Sequence, residues 1–181
     1  MNDDDRFLIQ FINNQPIIYI KDSLKINAGL GVFAKTFIPM NQPIIVYYGD
    51  IISQEDTLTQ YFKDKNKYCS DLAPYLRHMN NHLVINGKTA LDLDNINLHG
   101  CLVNDYSNLD NGIDIYLHSV KNCNVTINDS LSYPIYYSNR DIYPNEELYA
   151  HYGLPYWLLL NGMEPSKIED YINNNKYLKP E

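Results

Sequence analysis

Basic runs are missing from this 181-residue sequence: 14 Lys and Arg stand against 22 Asp and Glu, a formal net charge of −8. Surfaces that grip nucleic-acid phosphates need clustered Lys and Arg to displace counterions, so direct nucleic-acid binding is not expected. Cysteine is scarce too. Cys69, Cys101 and Cys123 are odd in number, lie far apart and form no C-x-x-C pair, which speaks against a disulfide framework, against structural zinc and for a reducing intracellular setting. No apolar stretch approaches the roughly 20 residues of a membrane span. The opening Met1 to Arg6 is acidic and polar where a secretory signal is basic and then apolar. A soluble protein with no membrane contact is expected, and Asn124-Val125-Thr126 and Asn128-Asp129-Ser130 read as chance glycosylation triplets in a chain rich in Asn.

What is present is ordinary for a globular domain, 45% hydrophobic and 20% charged, apart from its 17 tyrosines. The length suits one core, so residues 1–181 are expected to form a single domain. Apolar, β-branched and aromatic runs recur between turn residues: Ile17 to Ile20, Val32 to Ala34, Ile44 to Tyr48, His82 to Ile85, Ile113 to Leu117, Val125 to Ile127 and Ile135 to Tyr137. These predict many short strands. Asn86-Gly87 is the pair that a type I′ hairpin turn wants, here between His82–Ile85 and Lys88–Leu91. Helices are few: one capped by Ser53 and running to about Lys63, one over Asp71 to Met79, and one from Pro165 or Ser166 through Asn173, after which the tail is expected to fray.

Chemistry gathers in separated stretches. Asn27-Ala28-Gly29-Leu30-Gly31-Val32-Phe33-Ala34 is a glycine-spaced turn leading into an apolar strand. Glycines there permit positive φ and close backbone approach to a ligand, although a plain hairpin turn uses them as well. A dinucleotide fingerprint is excluded, because the third glycine and following helix are missing. Downstream come Phe37-Ile38-Pro39-Met40-Asn41-Gln42-Pro43, then Ile45-Val46-Tyr47-Tyr48-Gly49-Asp50-Ile51-Ile52, and finally Asn139-Arg140-Asp141-Ile142-Tyr143-Pro144-Asn145-Glu146-Glu147-Leu148-Tyr149-Ala150-His151-Tyr152-Gly153.

In order and spacing these stretches resemble the SET-domain lysine methyltransferases, whose pattern runs G-x-G-V-F-A, I-P-x-G-x-x-I, E-Y-x-G-E-x-I and R-D-I-x-x-G-E-E-L-x-x-D-Y-G. The step from Asp92-Leu93-Asp94 to Asn104 matches the family's step from I-D-A to the Asn of R-F-I-N-H-S. The resemblance covers roughly residues 17 to 160. It implies a mainly β fold of several small sheets with short helices and a knot-like threaded C-terminal segment. It also implies a protein-lysine N-methyltransferase that uses S-adenosylmethionine, leaves S-adenosylhomocysteine and needs no metal. Gly29, Leu30 and Gly31 would meet the amino-acid end of the cofactor, held by the Asn104 side chain and the main chain of Asp105. Tyr152 would be the catalytic tyrosine and Tyr47 its companion, with Tyr48, Tyr149 and Ala150 lining the substrate channel. The small Ala150 implies room for products beyond monomethyl-lysine.

Several readings stay open. Tyr47 and Tyr48 face opposite sides of a strand, and register decides between them. Asn104 either holds the cofactor or caps a turn, and Trp157 either covers the adenine or packs in the core. His151 is either a general base or a structural hydrogen-bonding residue. Cys101, Asp105 and Tyr106 replace the family's Arg, His and Ser, Tyr106 to Lys121 reads as an insertion, and no cysteine-rich segment follows Trp157, so Pro165 to Tyr177 is a candidate to close the channel instead. The acidic balance, with Asp50, Asp92, Asp94, Asp110 and Asp114, suits a basic protein substrate. A histone tail is favoured, which would place the protein at chromatin in the nucleus. A non-histone protein is the alternative, a catalytically silent peptide-binding or complex-assembly module is the rival from another class, and a homodimer is compatible with either. The abundance of Asn, Ile and Tyr points to an AT-rich source such as a large DNA virus or a protist.

Overall fold

The computed structural model describes residues 10, 12, 14, 17–79, 83–107, 109–129 and 133–175. In chain order the elements are β1 (Ile18–Asp22), β2 (Leu30–Ala34), β3 (Pro43–Val46), β4 (Asp50–Ser53), α1 (Gln54–Lys63), α2 (Lys65–Asp71), β5 (Leu76–His78), β6 (Leu83–Asn86), β7 (Asn104–Asp105), α3 (Ile113–His118), β8 (Val125–Asn128), β9 (Ile135–Ser138), β10 (Tyr149–Ala150), α4 (Leu154–Leu160) and α5 (Pro165–Asn174), with 3-10 turns between them. They form two compact units, Met1–Asn104 with Asn124–Ala150, and Asp105–Cys123 with His151–Glu181.

The first unit is built of small antiparallel sheets. β1 pairs with β2, Ile20 opposite Val32. Two further sheets are three-stranded, in the orders β3-β9-β8 and β4-β6-β5. β2 and β3 carry unbroken apolar runs because both faces are covered: Val32, Phe33, Ala34, Ile44, Ile45 and Val46 are all fully buried. α1 starts where the sequence predicts, with the Ser53 hydroxyl accepting the Asp56 N–H at 3.0 Å, Glu55 and Asp56 in its first turn and Lys63 in its last. That cap and charge order complement the helix dipole. Asn41 and Asn145 stand where the family pattern has glycine, and both hold left-handed backbone, φ 66° and 70°. Asn is among the few side chains that tolerate this region, so the turns survive the substitution.

Some predicted elements are different. The Asn86-Gly87 hairpin does not form: β6 is the centre of its sheet, its partners are β4 and β5, and the Asn86 side chain accepts the Lys88 N–H at 3.2 Å to start a 3-10 turn over Gly87–Asp92. The Asx cap satisfies the backbone where an I′ turn was expected. The helix over 71–79 is also displaced. Asp64 caps α2 upstream of it, Pro74 lies in a 3-10 turn, and 76–78 is strand β5. Ile113 to Leu117, predicted as a strand, is helix α3. Tyr116 is buried with Ile113 and Leu117 packed beside it, whereas Asp114 and Ile115 are exposed, a spacing of helical period that β-branched residues masked. His82, at the start of a predicted strand, and residues 176–181 lie outside the described residues.

The second unit has its own apolar centre, Tyr116, Leu154 and Leu158, packed by Ile113 and Leu117 of α3 and by Ile168, Tyr171 and Ile172 of α5. α5 begins at Pro165 as predicted and turns one half-buried face inward.

Candidate functional site

In the first unit the glycine turn and Asn104, 74 residues apart, meet at a buried carboxylate. The Asn104 amide Nδ2 donates to the Leu30 carbonyl at 3.0 Å and to Glu147 Oε1 at 3.1 Å. Glu147 is 3% exposed. Its Oε1 also accepts the Ser23 hydroxyl at 2.6 Å, while Oε2 accepts the Leu24 N–H at 2.8 Å and the Tyr149 hydroxyl at 2.6 Å. A Cβ at Gly31 would overlap the Glu147 carboxylate and stand 3.2 Å from Asn104 Nδ2, so glycine is required there by close approach. Gly29 has φ 71° and open space where a Cβ would be. The turn is thus fixed from behind and open in front. Asn124 completes the frame: its amide donates to the Glu147 carbonyl at 2.8 Å and its oxygen accepts the Tyr149 N–H at 2.8 Å.

Tyr47 and Tyr48 part as adjacent strand residues should. Tyr47 is buried in the main core, where a Cβ at Gly87 would meet its ring and the Cys101 side chain. Tyr48 joins a smaller cluster with Val46 and Ile135, its ring 4.6 Å from that of Tyr133. Burial pushes the Cys101 thiol up to about 12, and its Sγ donates to the Gly87 carbonyl at 3.2 Å. Ala150 is buried, and Tyr149 has its hydroxyl on Glu147 and the Lys25 ammonium 5.8 Å from its ring centre.

In the second unit the Asp105 side chain is the hub. Asp105 is 4% exposed, and its Oδ2 accepts the Tyr116 hydroxyl at 2.9 Å, the Tyr152 N–H at 3.0 Å and the Trp157 indole N–H at 2.8 Å. Oδ1 accepts the Ser107 N–H at 3.3 Å. Tyr152 sits edge-on to Tyr156 at 4.8 Å and lies nearly parallel to Trp157 at 6.5 Å. Burial, and then the Asp105 charge, push the Tyr116 hydroxyl well above the usual phenol range. The His151 ring stacks on Tyr116 at 4.6 Å, its Nε2 buried without a hydrogen-bond partner among the described residues. Burial holds the imidazole below its ordinary pKa, partly opposed by Asp105. Trp157 is half-buried against the apolar centre.

Sequence reasoning named Gly31, Asn104 and Tyr152 but missed Glu147 and Tyr116. Glu147 was legible only as one letter of a motif, and nothing in the pattern marks a second-position Glu as the acceptor of four hydrogen bonds. Tyr116 lay inside a predicted strand. Asp105 was expected to act through its main chain, whereas its side chain makes the contacts.

A fold of small antiparallel sheets with a glycine turn bonded to a distant asparagine is that of a SET domain. The family model described as SET domain matches residues 29–153, more than two thirds of the chain, and the protein belongs to the SET domain family. No curated protein sequence matches it significantly. Among solved structures, it is similar to the Chaetomium thermophilum polycomb repressive complex 2 (TM-score 0.52, 16% identity, 75% of this chain and 15% of that one). It is also similar to ctPRC2 in an autoinhibited conformation bound to S-adenosylmethionine (TM-score 0.53, 16% identity, 88% and 17%). A third similar structure is ctPRC2 in complex with H3K27me3 and H3K27M (TM-score 0.53, 16% identity, 76% and 14%). The chain therefore spans only a small part of the length of the chains it matches. Among the described residues no helix is long and apolar enough to cross a membrane, and no group of three His, Cys, Asp or Glu could hold a metal ion.

Proposed function

We propose that this chain is an S-adenosylmethionine-dependent protein-lysine N-methyltransferase acting on a basic protein tail, a histone first. The observation that carries the reading is the bond from Asn104 Nδ2 to the Leu30 carbonyl, 3.0 Å, which brings together the two stretches assigned to the cofactor's amino-acid end. Membership of the SET family, the S-adenosylmethionine in one similar structure and the H3K27me3 and H3K27M in another support it. So do five exposed carboxylates, Asp50, Asp92, Asp94, Asp110 and Asp114, which attract cationic tails.

The donor set suits the cofactor. Gly29 is open in front, the main chain of 29–31 carries polar groups at the turn, and Asn104, whose amide hydrogens are engaged by Leu30 and Glu147, offers its side-chain oxygen as an acceptor for the cofactor's amino group. What the cofactor supplies when bound is a methyl group on a positively charged sulfur. The chain's own residues supply alignment and dryness. In-line transfer to the lysine nitrogen needs the amine held on axis with water excluded, and aromatic walls serve both needs. Lysine's free pKa is about 10.4. An apolar channel lowers it by desolvating the ammonium, so the neutral amine becomes available. On the family pattern Tyr152 is assigned to orient that amine through its hydroxyl and Tyr47 to supply a second one, with Tyr149 and the small Ala150 assigned to the channel, whereas Tyr48, whose ring joins a different cluster from Tyr47, is left out of it. Trp157 covers the adenine. We take residues 1–181 as one SET domain, since the family match runs from the first unit into the second.

The test is transfer of labelled methyl from S-adenosylmethionine to core histones, with Tyr152→Phe beside wild type. Labelling by wild type and its loss in the variant, with cofactor binding retained in calorimetry, is the expected result. Equal labelling by the two proteins would refute the assignment of Tyr152.

A further inference from the structure

Asp105 lies where the family pattern has His, and a stretch that the pattern lacks is bonded to it. Three donors from three places in the chain reach one oxygen, Oδ2: the hydroxyl of Tyr116 in α3, the main-chain N–H of Tyr152, and the indole N–H of Trp157 in α4, all within 2.8–3.0 Å. Hydrogen bonds to a carboxylate are about twice as strong as neutral ones, and three on one atom fix its direction. The carboxylate is shut from water, so removing a donor leaves the others to shift and removing the acceptor strands them. Tyr116 is itself fully buried and held by the stacked His151 ring at 4.6 Å. α3 is therefore anchored at both its ring and its hydroxyl.

The geometry points to Asp105 as a positioning residue for methyl transfer: through one oxygen it sets the main chain at Tyr152 and the ring of Trp157 together, and Tyr116 of the insertion aims that oxygen. This rests on the methyltransferase reading above. It makes Tyr116 of the insertion part of the apparatus that holds Tyr152, in a chain whose described residues include no zinc-ligand group. Rotation of the Asp105 carboxylate would release the Tyr152 N–H and the Trp157 indole in the same movement. Turnover should then suffer more than capture of the protein substrate, because the main chain that carries the Tyr152 hydroxyl is what moves.

The test compares the full-length wild type with Asp105→Asn and Tyr116→Phe, and uses Ile115→Ser as a control, since Ile115 is 57% exposed on the same helix. Trp157 is the only tryptophan, so its indole N–H gives a single signal in a proton–nitrogen NMR spectrum, read without any catalysis. Kd for S-adenosylmethionine, kcat and KM on core histones complete the set. Asp105→Asn is expected to move the indole signal and lower kcat about tenfold with KM for histone within a factor of about two, the loss of one charge-assisted contact. Tyr116→Phe should move the signal the same way and lower kcat severalfold, and Ile115→Ser should do neither. If Asp105→Asn does not fold, Tyr116→Phe decides, because it removes one hydroxyl and keeps the ring. A folded Asp105→Asn, or in its absence Tyr116→Phe, with the wild-type indole signal and kcat overturns the proposal. A wild-type chain that neither binds S-adenosylmethionine nor transfers methyl overturns the methyltransferase reading instead, and the catalytic claim for Asp105 with it. That outcome is recognised from the wild-type arm alone.

Discussion

Replacing Glu147 by Gln tests whether the glycine turn is held by a buried carboxylate. The two side chains have the same shape, so the change exchanges one acceptor oxygen for a donor nitrogen and leaves packing alone. Placed at Oε2, that nitrogen faces the Leu24 N–H, now 2.8 Å from the oxygen, and a main-chain donor cannot turn away. Placed at Oε1, it faces the Asn104 amide at 3.1 Å, and turning that amide would break its 3.0 Å bond to the Leu30 carbonyl. The Ser23 and Tyr149 hydroxyls can reverse roles in either case, so one donor remains mispaired whichever way the amide sits. A stranded buried donor costs about 1–3 kcal/mol, and the remaining bonds lose their charge assistance, for a total of about 2–4 kcal/mol. For a chain of this length that lowers the melting midpoint by roughly 5–15 °C. Thermal unfolding followed by circular dichroism reads the shift, and calorimetry with S-adenosylmethionine should show weaker binding alongside. Gly31→Ala pushes a Cβ into the same carboxylate, so the two changes together should cost less than their sum. A Glu147→Gln midpoint within about 2 °C of wild type would show that the carboxylate does not hold the turn.

The buried thiols should be inert. With its pKa pushed up to about 12 by burial, Cys101 should react with iodoacetamide after half-buried Cys69, and mass spectrometry finding Cys101 labelled first would contradict the packing. Burial lowers the proton affinity of His151 in the folded chain, whereas the unfolded chain titrates near its ordinary value of about 6.5. Below that pH the unfolded state takes up the proton more readily, so stability should fall as pH drops through about 6.5 and stay level above it. His78 shifts in the same direction, so the readout is the difference in slope between wild type and His151→Gln, and identical slopes would remove His151 from the effect. Ending the chain after Asn161 deletes α5 and uncovers Leu158 and Trp157. Three half-buried side chains, Ile168, Tyr171 and Ile172, are lost, about 3 kcal/mol in all, so the indole signal should move and the midpoint should drop; a truncated chain with the wild-type signal would show that α5 is dispensable.

The fold was legible where local and long-range demands agree. Val32-Phe33-Ala34 is apolar at successive positions, suits a strand buried on both faces, and is one. Ser53 precedes two acidic residues and caps a helix as such a sequence should. Asn86-Gly87 misled because the pair satisfies two different turns, and the choice lay with β4 and β5, which are distant in sequence or invisible to a local pattern. The site divides the same way. Tyr152 and Asn104 could be marked as candidates from spacing because their neighbours in sequence follow the family pattern. Glu147 could not, and neither could the role of the Asp105 side chain, because what distinguishes them is the set of donors that converge on each, from Ser23 to Tyr149 in one case and from Tyr116 to Trp157 in the other.

That convergence gives a reason for the departures from the family pattern in the second unit. Among the described residues the apolar centre of this unit is small, with Tyr116, Leu154 and Leu158 as its buried cluster, and small centres need a staple of another kind, usually a disulfide or a metal. Among the described residues Cys123 makes no disulfide and no metal-binding group occurs. Asp105 supplies a polar staple instead, its one oxygen bonded to α3, to α4 and to the main chain between His151 and Gly153. A histidine at that position, with at most one acceptor nitrogen, could not receive three donors. Asp at position 105 and Tyr at position 116 therefore make sense only together: the insertion supplies a donor that needs a carboxylate, and the carboxylate needs the insertion to direct it. Reverting Asp105→His alone should then destabilise the second unit, and combining it with Tyr116→Phe, which withdraws the stranded hydroxyl, should restore part of the loss.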